Sequence, residues 1–217
     1  MARPKNQTAR REQLIRAASR AISANGLAQL RISGIADIAG ITRGAVHYYF
    51  SDLTELLVQV HNRSLERFFT SRKKAAESFP DARDKLVELI RRGIPDGADD
   101  ELAVVLCEFN TSIRDNPLFA TLTRSRFDRQ VTLYAAALEI GVTQGHFRLP
   151  EPADDVACNL VSLEDSYLLH IVSRNASLSR QRAFELLLGY ARSATNCPDL
   201  TPQRAAMLQA RSDKTLG

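Results

Sequence analysis

The 217-residue sequence has few cysteines, and their positions exclude two common kinds of site. Cys107, Cys158 and Cys197 include no metal-spaced pair and, being odd in number, build no disulfide framework. Free thiols are typical of a reducing compartment, so we expect a cytoplasmic protein.

Long apolar runs are absent as well. No run approaches the ~20 residues that a helix needs to span a bilayer. The basic N-terminus has no apolar region behind it that would make a secretory signal. Hydrophobic residues make up 44% of the chain and charged residues 25%, the values of an ordinary soluble globular protein. We therefore expect no membrane partner.

Recognisable catalytic motifs are missing too. The sequence contains no metal-spaced His/Cys cluster, no G-x-S-x-G and no glycine-rich phosphate loop. The four histidines, His47, His61, His146 and His170, are scattered. These absences argue against an enzyme, and we expect neither a metal nor a cofactor.

Strand-like alternation of apolar and polar residues is not found either, whereas helical spacing recurs along the chain. The sequence therefore predicts an all-α fold of about nine helices behind a frayed polar segment, residues 1–7. The predicted helices cover 8–25, two short helices within 32–50, 52–79, 81–95, 102–115, 117–144, 153–173 and the stretch after a cap at Ser179.

The stretch Ile32–Phe50 predicts two short helices joined by a sharp turn. Glycine reaches positive φ without a Cβ clash, so Gly40 lets the chain leave the first helix, and Thr42 can cap the second. Val46 and Phe50 give the second helix a buried i, i+4 pair. This is the plan of a helix-turn-helix, whose second helix enters the DNA major groove.

The positive charge is concentrated near that motif. The net charge is +4, but residues 1–63 hold 9 Lys/Arg and 4 Asp/Glu (+5), whereas residues 64–217 hold 20 and 21 (−1). Phosphate binding by one domain requires a basic N-terminal third of this kind. A charge of this size is also common on a merely soluble surface.

The second helix of the motif exposes side chains that could contact DNA. Arg43 can pair with guanine O6 and N7 or bind phosphate only, and Tyr48 can contact DNA or simply pack. Ser33 is a phosphate ligand at a helix N-terminus or an ordinary cap. Bulk at Gly44 would hold the helix away from the DNA backbone. The candidate DNA-binding residues are Ser33, Thr42, Arg43, Gly44, Ala45, His47 and Tyr48.

A long helix follows, opened by a D-x-x-E cap at Asp52 and Glu55. At about 25 residues and ~1.5 Å rise per residue it would be a rod of roughly 40 Å. It could couple the N-terminal DNA-binding region, here called the head, to a distant site, or simply be a long core helix. Arg72, Lys73 and Lys74 are expected to form a solvated face.

Polar groups on otherwise apolar central helices indicate a possible ligand pocket. Buried carboxylates are costly unless paired, so Glu164 and Asp165 could meet a cationic or hydrogen-bonding ligand. Alternatively, these acids pair with Arg126 or Arg129 or face solvent, and the neighbouring aromatic residues are plain core. The candidate ligand-binding residues are Glu108, Phe109, Phe127, Tyr134, Glu164 and Tyr167.

The last two long helices are apolar on more than one face, which favours a second subunit against one of those faces. We predict a helix-turn-helix DNA-binding domain at 1–52 and a ligand-sensing and dimerisation domain at 53–196. The remainder, 197–217, is predicted to be a polar tail with a short helix near 202–211.

The N-terminal part of the chain resembles the TetR family of transcriptional regulators. The matching residues are Ile15, Ala18, Gly26, Ile35–Phe50 and Glu55–Leu57. Phe147 and Leu163–Asp165 are similar to the branch that includes choline-responsive repressors.

The resemblance implies a homodimer joined by the last two long helices of each subunit. Its two recognition helices would read a palindromic operator in double-stranded DNA, with half-sites about 34–36 Å apart. A small-molecule effector in the larger domain would shift the heads out of register with the operator. This requires that the effector bind the two conformations, which differ in head spacing, with different affinity. The implied function is therefore a repressor that a small molecule releases.

Two positions depart from the family's usual pattern. His47 stands where tyrosine is usual, and Leu53 where a lysine often contacts phosphate. His47 can still donate to a phosphate or base edge, more strongly when protonated, whereas Leu53 cannot. A non-specific architectural DNA binder stays a competing function, since it would show weak sequence preference and steep salt dependence.

Overall fold

The computed structural model describes residues 4–112, 114 and 116–201, with side chains from residue 7 onward. Over these residues the chain forms nine α-helices and no strand, which confirms the all-α fold. No described helix combines the length and apolar character that a membrane crossing requires. The helices are α1 (Pro4–Asn25), α2 (Ile32–Ala39), α3 (Arg43–Tyr49), α4 (Leu53–Glu77), α5 (Ala82–Gly93), α6 (Glu101–Thr111), α7 (Pro117–Thr143), α8 (Ala153–Val172) and α9 (Arg180–Thr195).

Local capping chemistry sets many of the helix starts. Asp81, Asp100 and Ser179 cap α5, α6 and α9 by accepting first-turn backbone N–H groups at 2.9, 3.0 and 3.1 Å. These N–H groups have no acceptor within the helix, so a side-chain oxygen stabilises the start. The predicted cap at Ser179 is therefore confirmed.

Two helix ends differ from the sequence prediction by four residues, more than any other. The first helix begins at Pro4 rather than at residue 8, because proline suits the first helical position, where no N–H is needed. The sixth helix ends at Thr111 rather than at residue 115. Ser112 follows it as the C-cap and donates its N–H to the Glu108 carbonyl at 3.2 Å.

The described chain packs into two compact units. Unit 1 is Met1–Phe68 with Asp99–Thr123, and unit 2 is Phe69–Ala98 with Arg124–Gly217. Packing therefore groups α6 and the start of α7 with the three N-terminal helices, whereas the sequence analysis divided the chain after residue 52.

Unit 1 has one apolar core, which explains this grouping. Val105 and Phe109 of α6 and Phe119 of α7 are buried in the same cluster as Leu14 and Phe50. Their helical spacing gives these helices an apolar face that must be covered. The head therefore shares its core with residues far along the sequence.

Unit 2 has a separate core made by α5, α8, α9 and the remaining parts of α4 and α7. Its fully buried side chains include Leu86, Ile90, Leu138, Leu160 and Leu187. Cys197 and Leu200, within the predicted polar tail, are also buried there. The rest of that tail, including the predicted short helix at 202–211, lies outside the described residues.

Candidate DNA-binding surface and buried polar cluster

The turn between α2 and α3 has the geometry that its sequence predicts. Gly40 lies in the left-handed region at φ 66°, and the Ile41 N–H donates to the Ala36 carbonyl at 3.0 Å. Thr42 Oγ1 accepts the Ala45 N–H at 3.2 Å, which confirms the cap. The turn fixes the direction in which α3 leaves α2.

The outer face of α3 carries most of the predicted DNA-binding residues. Thr42, Arg43, Gly44, His47 and Tyr48 are exposed, whereas Val46 of the same helix is 1% exposed and faces the core. Ala45 is half-buried. A side chain at Gly44 would meet no atom within 4 Å, so this stretch of helix presents open backbone to a partner.

Tyr48 is held in place although its side chain is largely exposed. It is 67% exposed, and its hydroxyl accepts a hydrogen bond from Gln7 Nε2 at 3.1 Å. Its ring packs edge-to-face on Tyr49, with centroids 5.0 Å apart. The start of α1 and the end of α3 together orient this aromatic side chain toward solvent.

Ser33 lies on α2 and is exposed. The N-cap of that helix is Arg31, whose side chain makes no capping hydrogen bond. Ser33 is therefore not the helix cap, and its predicted phosphate contact stays a prediction.

A clasp around Arg11 fixes the end of α3. Arg11 donates to the Tyr49 carbonyl and, at 2.9 Å, to Glu55 Oε1, with its guanidinium 4.2 Å from the Phe50 ring centroid. Glu55 Oε2 accepts the Ser51 N–H at 2.8 Å. The Arg11 hydrogen bond, followed by the Ser51 backbone N–H, lowers the pKa of Glu55. Sequence reasoning missed Arg11, because its partners lie about 40 positions away.

Two of the predicted ligand residues lie in unit 1. Glu108 Oε2 accepts the Leu27 N–H at 2.7 Å, beside Gly26 at φ +79°. Phe109 packs edge-to-face with His61 and Phe119, with centroids 5.1 and 5.0 Å apart. These contacts fasten α6 to the loop after α1.

Glu164 lies at the centre of a polar cluster in unit 2. Arg72 donates to both of its carboxylate oxygens, at 2.6 and 3.1 Å. Gln130 Nε2 donates to Oε1 at 2.9 Å, and the Tyr134 hydroxyl donates to Oε2 at 2.6 Å. A side chain at Gly93 would overlap this carboxylate, so the glycine leaves the space that Glu164 fills.

The neighbouring acid extends this cluster toward solvent. Arg126 donates to both Asp165 oxygens, at 2.9 and 2.7 Å, and to Gln130 Oε1 at 2.7 Å. The Arg126 side chain is 2% exposed, whereas that of Asp165 is 24% exposed. The pairing of Asp165 with Arg126 is one of the alternatives that the sequence left open.

Burial and ion pairing set the protonation states in the cluster. Burial disfavours the Arg72 charge, but the Glu164 carboxylate and Tyr134 raise the pKa of Arg72 above its ordinary value. Burial, followed by the nearby Glu164 charge, raises the pKa of Tyr134. Arg72 therefore stays charged, and Tyr134 stays a hydrogen-bond donor.

The sequence prediction for Arg72 was wrong. It was expected on a solvated face, yet its side chain is 1% exposed, whereas the adjacent Lys73 is 69% exposed. On α4 it follows Phe69 and precedes Ala76 at helical spacing, and both are buried. That periodicity is the signal that could have identified it.

Residues 14–60 match a family model described as bacterial regulatory proteins, tetR family. The match begins within α1, ends within α4 and contains the whole helix-turn-helix. Residues 14–60 therefore form a TetR-family DNA-binding domain. The chain is a helix-turn-helix transcriptional regulator, and the helix-turn-helix within the matched residues is the motif formed by α2 and α3.

Similar proteins support this assignment. The uncharacterized HTH-type transcriptional regulator YfiR of Bacillus subtilis (strain 168) is 24% identical over 165 residues, 73% of this chain and 78% of YfiR. A Saccharomonospora viridis structure described as a transcriptional regulator in complex with choline has 25% identity and a TM-score of 0.76, covering 83% of this chain and 94% of that one. A TetR transcription regulator from Haloarcula marismortui ATCC 43049 shares the fold at 24% identity and a TM-score of 0.78, covering 86% and 98%.

The structure places the predicted ligand residues of this regulator in two different units. It brings Tyr134 and Glu164 into hydrogen-bond contact, and Phe127 and Tyr167 pack half-buried against the core of unit 2. Glu108 and Phe109 belong to unit 1. The cluster around Glu164 also includes Arg72, Arg126 and Gln130, which were not candidates.

Proposed function

We propose that this regulator is a sequence-specific repressor that binds a palindromic operator as a homodimer and leaves it when a small molecule binds. The observation that carries the DNA-binding part is the exposure of Arg43, His47 and Tyr48 on a capped helix that is anchored by buried Val46. Exposed donors on a fixed helix suit the major groove, where base edges present acceptors.

We infer that seven residues form the DNA-binding surface. Arg43 reads a base edge or a phosphate, His47 and Tyr48 donate hydrogen bonds, and the backbone near Gly44 approaches the DNA closely. Ser33, Thr42 and Ala45 border the same surface. Leu53 cannot contact phosphate, whereas the lysine that is usual at this position can. The basic N-terminal residues therefore supply more of the electrostatic attraction to DNA than they would with a lysine at residue 53.

We infer that the effector binds in unit 2 and contacts Phe127, Tyr134, Glu164 and Tyr167. Glu164 is the acceptor that a cationic or hydrogen-bonding effector would use, but Arg72, Gln130 and Tyr134 already donate to it. Binding there requires an exchange of partners. Glu108 and Phe109 stay predicted ligand residues, although their present contacts support a role in fastening the head.

The proposed dimer uses α8 and α9. Leu169 of α8 is 45% exposed, an apolar side chain that a second subunit would cover. Operator binding by such a dimer also places the protein where the DNA is, in the cytoplasm. Light scattering during size-exclusion chromatography should give twice the 24.1 kDa chain mass.

A gel-shift assay with the DNA upstream of the chain's own gene tests the proposal. We expect one retarded band, and we expect choline or another small molecule to release the DNA from it. Choline is the first probe because the similar Saccharomonospora viridis protein was solved with it. No retarded band with any upstream fragment would contradict the DNA-binding role, and a band that no candidate ligand releases would contradict the release by a small molecule.

A further inference from the structure

A cleft in unit 2 is lined by residues other than those of the cluster around Glu164. Its volume is about 410 Å³, and it is lined by Arg91 and Ile94 from the end of α5 and by Arg180, Gln181 and Phe184 from the start of α9. Pockets of this volume are typical of small-molecule sites. None of these residues is among the DNA-binding or effector-binding residues proposed above.

The charges around the cleft favour an anion. Within the described part of the chain, both charged side chains that line it are arginines. Arg91 shares the Glu88 carboxylate with Arg92, at 3.3 and 2.6 Å, so that one acid faces two guanidinium groups. Arg180 pairs with Asp96 at 2.8 Å, but Asp96 is 85% exposed, and such a pair is exchanged at little cost.

The floor of the cleft is apolar. Ile94 and Phe184 are 4% and 9% exposed, and the Arg91 guanidinium lies 5.7 Å from the centroid of the Phe184 ring. A ligand held by the two arginines would therefore place any apolar part against these side chains. The first turn of α9, which carries Arg180 and Gln181, also has the positive end of the helix dipole.

We propose that the cleft between α5 and α9 binds an amphipathic anion, a carboxylate or phosphate monoester joined to a short apolar group. The two guanidinium groups hold the anionic group, because the oxygens of a carboxylate or a phosphate accept the paired N–H donors of a planar guanidinium. Ile94 and Phe184 contact the apolar part. This binding is independent of the proposed release from DNA.

Isothermal titration calorimetry of the full chain with octanoate tests the proposal. A ten-atom ligand of this kind should bind with a dissociation constant of about 1 mM or tighter. Acetate lacks the apolar part and octylammonium reverses the charge, so both should bind at least about tenfold more weakly. Hexyl phosphate should bind like octanoate if the shared feature is the amphipathic anion.

Matched variants locate the site. Arg91→Gln and Arg180→Gln should each weaken octanoate binding by about tenfold or more, since each removes charge-assisted hydrogen bonds. Arg92→Lys is the control on α5, because it keeps a positive charge beside Glu88 and does not line the cleft, and Arg182→Gln is the control on α9. Both controls should bind normally, and circular dichroism should be the same for all four variants.

Three results would overturn the proposal. They are the absence of octanoate binding at millimolar concentration, equal binding of acetate or octylammonium, and equal weakening by the control variants. Because no DNA is present, failure here would be distinct from failure of the proposed repressor function.

Discussion

The outer face of α3 and the cluster around Glu164 use similar polar side chains in opposite ways. On α3, Arg43, His47 and Tyr48 are exposed on a helix whose geometry is fixed by residues close to them in sequence. In unit 2, Arg72 and Glu164 are 1% and 2% exposed and lie 92 positions apart. An exposed group is available to an external partner, whereas a buried one stabilises the fold through an internal partner. Variants of the two regions should therefore affect different properties.

The largest effect should come from Glu164→Ala. It leaves the Arg72 charge buried without its carboxylate, which typically costs about 3–5 kcal/mol of unfolding free energy. Urea unfolding followed by circular dichroism measures this loss. Glu185→Ala on α9, whose side chain is 51% exposed, is the control and should stay within about 0.5 kcal/mol. A loss below about 1 kcal/mol for Glu164→Ala would show that the cluster does not stabilise unit 2 in this way.

Arg43→Ala should instead lower DNA affinity and leave stability unchanged. Loss of a base or phosphate contact costs about 1–3 kcal/mol, or roughly 10–100-fold in affinity. Fluorescence anisotropy with operator DNA measures this loss, with Arg20→Ala on the exposed side of α1 as the control. Lost helix in the circular dichroism spectrum of Arg43→Ala would contradict its outward position.

The salt dependence of the same titration decides between the two roles of Arg43. If it binds phosphate, the slope of log affinity against log salt should fall by about one in the variant, uniformly across sequences. If it reads guanine, discrimination at one base pair should be lost instead.

Gly44→Val should produce a smaller, purely steric effect. A side chain at residue 44 meets nothing in the free protein, so stability should be maintained. The valine would hold α3 away from the DNA backbone, and affinity should fall by about tenfold, or 1.4 kcal/mol. In anisotropy titrations, the DNA affinity of Gly44→Ala should lie between those of the wild-type protein and Gly44→Val. Normal affinity of the valine variant would mean that the backbone at residue 44 does not approach DNA.

The smallest effect on stability should come from Glu55→Gln. This variant removes an exposed ion pair and so can be compared with the loss of the buried pair in Glu164→Ala. The Arg11–Glu55 pair is 37% exposed on each side. Because the pKa of Glu55 is lowered from its ordinary value of 4.5, its contribution is present at neutral pH and lost as pH falls through the lowered pKa.

Thermal unfolding between pH 3 and 7 tests this sign. The unfolding temperature of the wild-type protein should be higher than that of the variant at neutral pH. The difference between the two temperatures should shrink on acidification and at high salt. A difference that grew toward acid pH would contradict the lowered pKa of Glu55.

The sequence predicted the first region better than the second, for a physical reason. Gly40 and Thr42 act on backbone groups within a few residues, so their effect follows from residue type and position. The apolar spacing of α1, α2 and α3 then buries Val46 and leaves its neighbours outside. The helix order and the predicted exposure of Arg43 and Tyr48 were confirmed on this basis.

The cluster depends on which distant helices pack together, and residue type alone does not reveal this. Arg72 was assigned to solvent by its charge, although its spacing from Phe69 and Ala76 puts it on the buried stripe of α4. The partner of Glu164 could not be chosen from sequence, because several arginines had suitable spacing on other helices. The packing of α6 against the head could not be predicted for the same reason. Glu108 accepts a hydrogen bond from Leu27, and the two residues lie 81 positions apart.

One measurement tests the central claim, that the exposed face of α3 reads a particular DNA sequence. Anisotropy titrations at fixed salt would compare the DNA upstream of the chain's own gene with a scrambled duplex of the same length. We predict a specificity ratio of about 10³ or more, most of which is lost in Arg43→Ala. A ratio near one, with affinity set almost entirely by salt, would contradict the claim and identify a non-specific DNA binder.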